Sequence, residues 1–211
     1  MITNKDELNN LHSEQINKYF SEMMLPDEEI AKRIELCEEL DYLFFVMWTL
    51  ASAIDKAEGG ISEEQAEYLK NYGYQGYMDV LSDKGYEDEK FYPEYVKDTI
   101  DQLVDTTVNH INEPYYTSEK RSLIVSENQT NSIGNHDLLY KAIVQGMRYK
   151  TWVTMKDERV RHTHRMVDEI KIGIFDMFQV GMCEMLFPCD EVNGTPNETV
   201  GCRCVCNYSR G

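Results

Sequence analysis

The hydrophobic pattern of this chain changes period once, near Tyr149, and that change bounds what the chain can fold into. Before it, apolar residues recur at steps of three and four. Ile30, Ile34, Cys37, Leu40, Phe44, Met47 and Ala51 make one continuous helical face over residues 27–58. Pro26 and Asp27 supply a start, Glu28 and Glu29 suit the first turn, and Gly59 with Gly60 supplies a stop. Ser62 to Gln65 (SEEQ) is a capping-box pattern that opens a second helix through about Leu81. Pro93 and Glu94 open a third, with Val96, Ile100, Val104 and Ile111 at helical spacing. Thr117 to about Met147 reads as a fourth, with an interruption expected where Asn, Ser and Gly cluster at 131–135. After Tyr149 the pattern alternates or breaks into short apolar pieces divided by Gly181, Pro188, Gly194 and Pro196, with one short helix around Arg161–Val167. The expected fold class is α+β: a helical region over residues 1–147 and a small β-containing module over 148–211.

Charge follows the same division. Residues 1–140 hold 29 acidic and 11 basic side chains, a net −18, whereas residues 141–211 sum to +1. The first part repels a polyanion at long range, so only the second can lie near a phosphate backbone. Arg148, Lys150, Lys156, Arg159, Arg161 and Arg165 fall within 18 positions there and are the expected nucleic-acid contacts. The longest apolar run, Leu43 to Ala53, falls well short of the ~18 residues that span a bilayer, so no membrane partner is expected. No basic stretch followed by an apolar one opens the chain, and no secretory signal is expected. No phosphate loop, dinucleotide fingerprint or Ser-His-Asp order is present. Tyr68, Tyr72, Tyr74 and Tyr77 are expected to pack between helices.

Five of the six cysteines, Cys183, Cys189, Cys202, Cys204 and Cys206, lie in the last 29 residues. An odd cluster fits reduced thiols or a metal better than a disulfide framework. On a strand, residues two apart face one side, so Cys202, Cys204 and Cys206 would point together. His164 or His162 could join them, and His164 with Cys202 and Cys204 is the ligand set chosen here, of the kind tetrahedral zinc prefers. The alternative is three small side chains packed on one sheet face.

Several ordered elements then carry a resemblance. They are Lys150 to Arg161 (KTWVTMKDERVR), a strand and an Asp-x-Arg-Val-Arg turn; His164 to Asp168 (HRMVD); Phe187 to Asp190 (FPCD); Glu198 to Cys204 (ETVGCRC); and, upstream, Ser126 to Asn131 (SENQTN). Over about residues 120–208 the chain resembles the Mu F-like phage head morphogenesis, or minor head protein, family. The residues that carry the match are Trp152, Asp157, Arg161, Asp168, Pro188, Asp190 and Arg203. The chain departs from the family pattern at three of its positions. Glu169 stands where Gly is usual, Cys189 where His or Gly is frequent, and Gly201 where Asn is usual.

The resemblance implies a minor head component that joins the portal and other capsid or scaffold proteins and assists assembly and DNA packaging or ejection. It implies a place in the virion interior, and in the host cytoplasm during assembly. The acidic helices fit a protein-binding face, and the near-neutral module fits contact with packaged DNA. The resemblance also implies a distant likeness to the barnase/EndoU/colicin/RelE-like ribonuclease folds. An enzyme on that fold would use His162 or His164 as base, Arg161 or Arg165 for charge stabilisation and Trp152 for stacking. No second acid/base partner is visible, so no catalytic residue is assigned and an enzyme is the lesser expectation.

Overall fold

The computed structural model describes residues 4–86 and 88–211. Its elements are α1 (Lys5–Ser21), α2 (Asp27–Glu58), α3 (Glu63–Asp83), α4 (Tyr92–Asn109), a 3-10 turn (Pro114–Thr117) and α5 (Glu119–Val144), then β1 (Tyr149–Val153), α6 (His162–Val167), β2 (Lys171–Gly173), β3 (Phe178–Val180), β4 (Cys183–Met185), α7 (Pro196–Thr199) and β5 (Val205–Ser209). The class is α+β, with an N-terminal helical region and small antiparallel strands towards the C-terminus. No described helix is long and apolar enough to cross a membrane.

The chain divides into two compact units, neither contiguous in sequence. One takes the residues up to Glu14 and 35–126, and the other takes 15–34 and 127–211. The expected division at 147/148 follows the change of element type, whereas the units follow packing.

In the first unit, the apolar face of α2 is buried from Cys37 through Leu40, Phe44 and Met47 to Ala51. Phe44 stacks on Trp48 at 5.9 Å and meets Tyr77 of α3 edge-on at 5.9 Å. The Ser62 capping box is present at the start of α3. Of the four tyrosines expected to pack, Tyr77 is buried, while Tyr68 and Tyr72 are exposed. Gly73 permits the close approach on that side of α3, since a Cβ there would lie 2.5 Å from Met47 Cε. Buried polar side chains sit inside this unit around Asp41 and Arg121. Asp41 accepts from Ser122 Oγ at 2.5 Å and meets His12 Nδ1 at 2.6 Å. The Arg121 guanidinium lies 4.3 Å over the Trp48 ring and donates to Thr107 Oγ1 and the Tyr116 carbonyl, both at 2.7 Å. Burial lowers its pKa to about 10.

In the second unit, β1 is the centre of an antiparallel sheet ordered β2-β1-β5, with Trp152 opposite Cys206. β3 and β4 form a separate hairpin. Trp152 meets Phe178 edge-on at 5.1 Å, and Val167, Val180, Met185 and five cysteines pack in the same core. The expected interruption of α5 at 131–135 is absent, and the helix runs unbroken to Val144. The asparagines that suggested a break spend their side chains on tertiary partners instead of on their own backbone. Asn131 Nδ2 donates to the Cys202 carbonyl at 2.8 Å, and Asn135 Nδ2 to the Pro188 carbonyl at 2.7 Å. Their Oδ1 atoms accept from Arg33, which has no exposed surface.

Lys150, on β1, is buried with its Nζ donating to the Leu186 carbonyl at 2.7 Å. Desolvation pulls its pKa from the ordinary 10.5 down to about 8. Between those values the unfolded chain holds the extra proton, so this residue's contribution to stability rises with pH there and is at its worst below pH 8. The stability of the wild type relative to Lys150→Met is expected to rise by up to about 3 kcal/mol between pH 7 and 11. Urea midpoints of both proteins across that range check it, and a difference independent of pH would refute it.

Candidate metal centre

Three buried donors meet in the second unit. His164 lies in the first turn of α6, and Cys202 and Cys204 lie on the segment between α7 and β5. His164 Nδ1 is 3.4 Å from Cys204 Sγ and 3.7 Å from Cys202 Sγ, and the three donor atoms all lie within 4.8 Å of one another. On the far side of the ring, Nε2 is 3.1 Å from Glu198 Oε2, which also accepts from Thr163 Oγ1 at 2.7 Å. Trp152 closes the cluster edge-on to the imidazole at 5.5 Å.

The expectation that three cysteines share one face of a strand fails. β5 begins at Val205, so Cys202 and Cys204 precede it on irregular backbone. That backbone turns at Gly201, with φ +69°, and its carbonyls are held by Asn131, Tyr19 and Asn135. This bend lets two thiols reach one imidazole. Cys206, on β5, is not among the clustered donors, and burial raises its thiol to about 12. Glu198 and Thr163 were not singled out from the sequence. Glu198 stood inside the quoted ETVGCRC element, but its partner is 34 positions away.

The electrostatics favour one shared anion. The Cys204 hydrogen bond, and then His164, hold the Cys202 thiol well below its ordinary range. Burial opposes a charged imidazole, but the bond and charge of Cys202 prevail and raise His164. Cys204, the donor to that anion, is pushed up. His164 thus has both ring nitrogens engaged, whereas His162 is exposed.

The motif residues form a frame around the cluster. Asp157 pairs with Arg203 at 2.7 Å, tying the Asp-x-Arg-Val-Arg turn to the Cys-Arg-Cys segment, and Arg203 also reaches Glu22 at 3.1 Å. Burial opposes the Asp157 anion, but Arg203 and Arg159 hold its pKa below the ordinary carboxylate value. Arg161 donates to the Val200 carbonyl. Asp168 accepts from the Thr154 amide at 2.8 Å, and Asp190 from the Leu186 amide at 2.8 Å. Pro188 offers its carbonyl to Asn135.

The basic residues are less uniform. Arg148, Lys156, Arg159 and Arg165 are exposed, Arg161 is half-buried, and Lys150 is withdrawn from the surface. Lys156 pairs with Glu169, and Arg159 with Glu22 and Asp157.

All three departures from the family pattern fall where the backbone is left-handed: Glu169 (φ +62°), Cys189 (φ +63°) and Gly201 (φ +69°). Gly and Asn are the residues that reach this region most readily, so the pattern's residue types are those the fold asks for. Gly201 meets that demand, and Glu169 sits there at a cost of about 1–2 kcal/mol. Glu169→Gly is expected to stabilise the chain by about 0.5–1 kcal/mol, after the greater unfolded-state freedom of Gly is deducted. A thermal midpoint below that of the wild type would contradict it.

Residues 84–207 match the family model described as phage Mu protein F like protein. Among curated proteins and solved structures none matches. The match spans more than half of the chain and contains the thiol–imidazole cluster with its frame, and the chain therefore belongs to the phage Mu protein F like family of head morphogenesis proteins.

Proposed function

We propose that this chain is a minor head protein that binds the portal, assists procapsid assembly with other capsid or scaffold components, and aids DNA packaging or ejection from the virion interior. The observation that carries the reading is the family match joined to the charge split. A net charge of −18 over residues 1–140 suits protein contacts and disfavours DNA, whereas residues 141–211 are near neutral. The exposure of Arg148 and Arg165 in that second stretch supports contact with packaged DNA.

The test is composition of particles made in infected cells. The chain is expected to co-purify with the portal ring from procapsids, and its loss should lower the yield of DNA-filled heads. Its absence from procapsids and mature virions alike would refute the reading.

A further inference from the structure

We propose that His164 Nδ1, Cys202 Sγ and Cys204 Sγ bind a zinc-class divalent ion, with Glu198 orienting the histidine. The proposal is independent of any role at the portal. Zinc bonds of about 2.3 Å to sulfur and about 2.05 Å to nitrogen, at tetrahedral angles, put an S–N edge near 3.6 Å. The two observed edges are 3.4 and 3.7 Å.

Four further observations converge on a ligand. Metal-binding histidines hand their other ring N–H to a carboxylate or carbonyl, and Glu198 receives Nε2 at 3.1 Å. That carboxylate is itself held: Thr163 Oγ1 donates to the same oxygen at 2.7 Å, and Gly181 leaves room for the other, which a Cβ there would approach to 2.5 Å. The donors are buried beside an apolar core of Trp152, Phe178 and Val180, where an ion with two thiolates would be neutral overall. Finally, His164, Cys202 and Cys204 all line one small cavity, together with Met155, Val160 and Arg161. Three protein donors leave one position of a tetrahedral ion, and that cavity supplies the route for a solvent oxygen to take it.

This donor set also separates the cysteines by role. Cys183, Cys189 and Cys206 are buried in the same core yet stand outside the donor group: Cys189 Sγ donates to the Thr199 carbonyl at 3.5 Å, and Cys183 Sγ meets Thr195 Oγ1 at 3.6 Å.

The experiment uses the full chain, purified untagged and without chelators. Elemental analysis is expected to find about one equivalent of zinc. His164→Ala and the double variant Cys202→Ser with Cys204→Ser should each fall below about a tenth of an equivalent, whereas Cys37→Ala keeps the metal. Because those variants could lose metal by misfolding, two further readouts apply. His164→Cys, which keeps three donors, should retain the ion. Replacement by cobalt(II) in the wild type should give the intense visible bands of a tetrahedral thiolate site, and these should be absent from the double variant. Less than about a tenth of an equivalent in the wild type, with no such bands after cobalt addition, overturns the proposal and leaves a hydrogen-bonded thiol–imidazole cluster.

Discussion

Arg33→Met is expected to lower stability by about 3–5 kcal/mol, the range for removing one partner from a buried ionic network. The guanidinium has no exposed surface. Its Nη1 donates to Asn131 Oδ1 at 3.0 Å, Nη2 to Asn135 Oδ1 at 3.1 Å and Nε to Glu29 Oε1 at 3.1 Å. Methionine fills part of the volume but leaves a nearly buried carboxylate and two amide oxygens without those donors. The damage should spread, because the same two asparagines hold the carbonyls of Cys202 and Pro188. Lysine would not rescue, since a single ammonium cannot span three acceptors that the planar fork spans. Gly134 supplies a second check. A Cβ there would lie 2.6 Å from Arg33 Nε, so Gly134→Ala must displace the guanidinium. Arg33→Met and Gly134→Ala together should cost clearly less than their sum, because both destroy one network. Trp152 lies in the same unit, so its fluorescence in a Trp48→Phe background reports the urea transition. A loss under about 1 kcal/mol would mean that water replaces the guanidinium.

Asp41→Ala is expected to cost about 3 kcal/mol or more by the same logic in the other unit. Asp41 is fully buried, with His12 Nδ1 at 2.6 Å and Ser122 Oγ at 2.5 Å. Alanine strands a buried imidazole and a buried hydroxyl and opens a cavity between them. Asp41→Asn keeps the shape but can accept well from only one of the two donors, so it should lie between alanine and the wild type. Here Trp48 is the reporter, in a Trp152→Phe background. Equal stability of Asp41→Asn and the wild type would show that the carboxylate contributes no more than an amide. Asp41→Ala and His12→Ala should again be non-additive.

These two residues also mark where reading the sequence stops. The stripe from Cys37 to Ala51 announced α2, because helical periodicity is a local property, and the Ser62 cap announced α3 for the same reason. The stripe said nothing of Arg33 and Asp41, which are buried on α2 and whose partners include side chains 98 and 81 positions away. Asn131 and Asn135 misled in the opposite direction. Their local preference is to break a helix, and distant acceptors and donors overrode it. The thiol–imidazole cluster was half legible. His164, Cys202 and Cys204 could be named from residue type and spacing, but the reason given for the cysteines, a shared strand face, was the wrong one. Gly201 and the asparagine ladder on α5 bring them together, and neither Glu198 nor Thr163 carried a signal of its own. Of the motif residues, Asp157 and Arg203 stand in separate sequence elements, and the fold pairs them at 2.7 Å.

The units share helices, and this constrains the order of events on the ribosome. α1, α2 and α5 each pass from one unit to the other within a continuous helix, at 14/15, 34/35 and 126/127. Residues 15–34 are made well before the strands and loops that complete their unit. Those residues must wait for more than ninety intervening positions before their partners exist. Ring closure over that length adds only a slowly growing entropy penalty, so the delay is one of timing more than of equilibrium. The Arg33 guanidinium, buried in the finished unit, stays without Asn131 and Asn135 until those positions have been made. Neither unit can be released by a single cut of the chain, and a fragment beginning at residue 148 would lack the three helical segments that α1, α2 and α5 contribute to its unit.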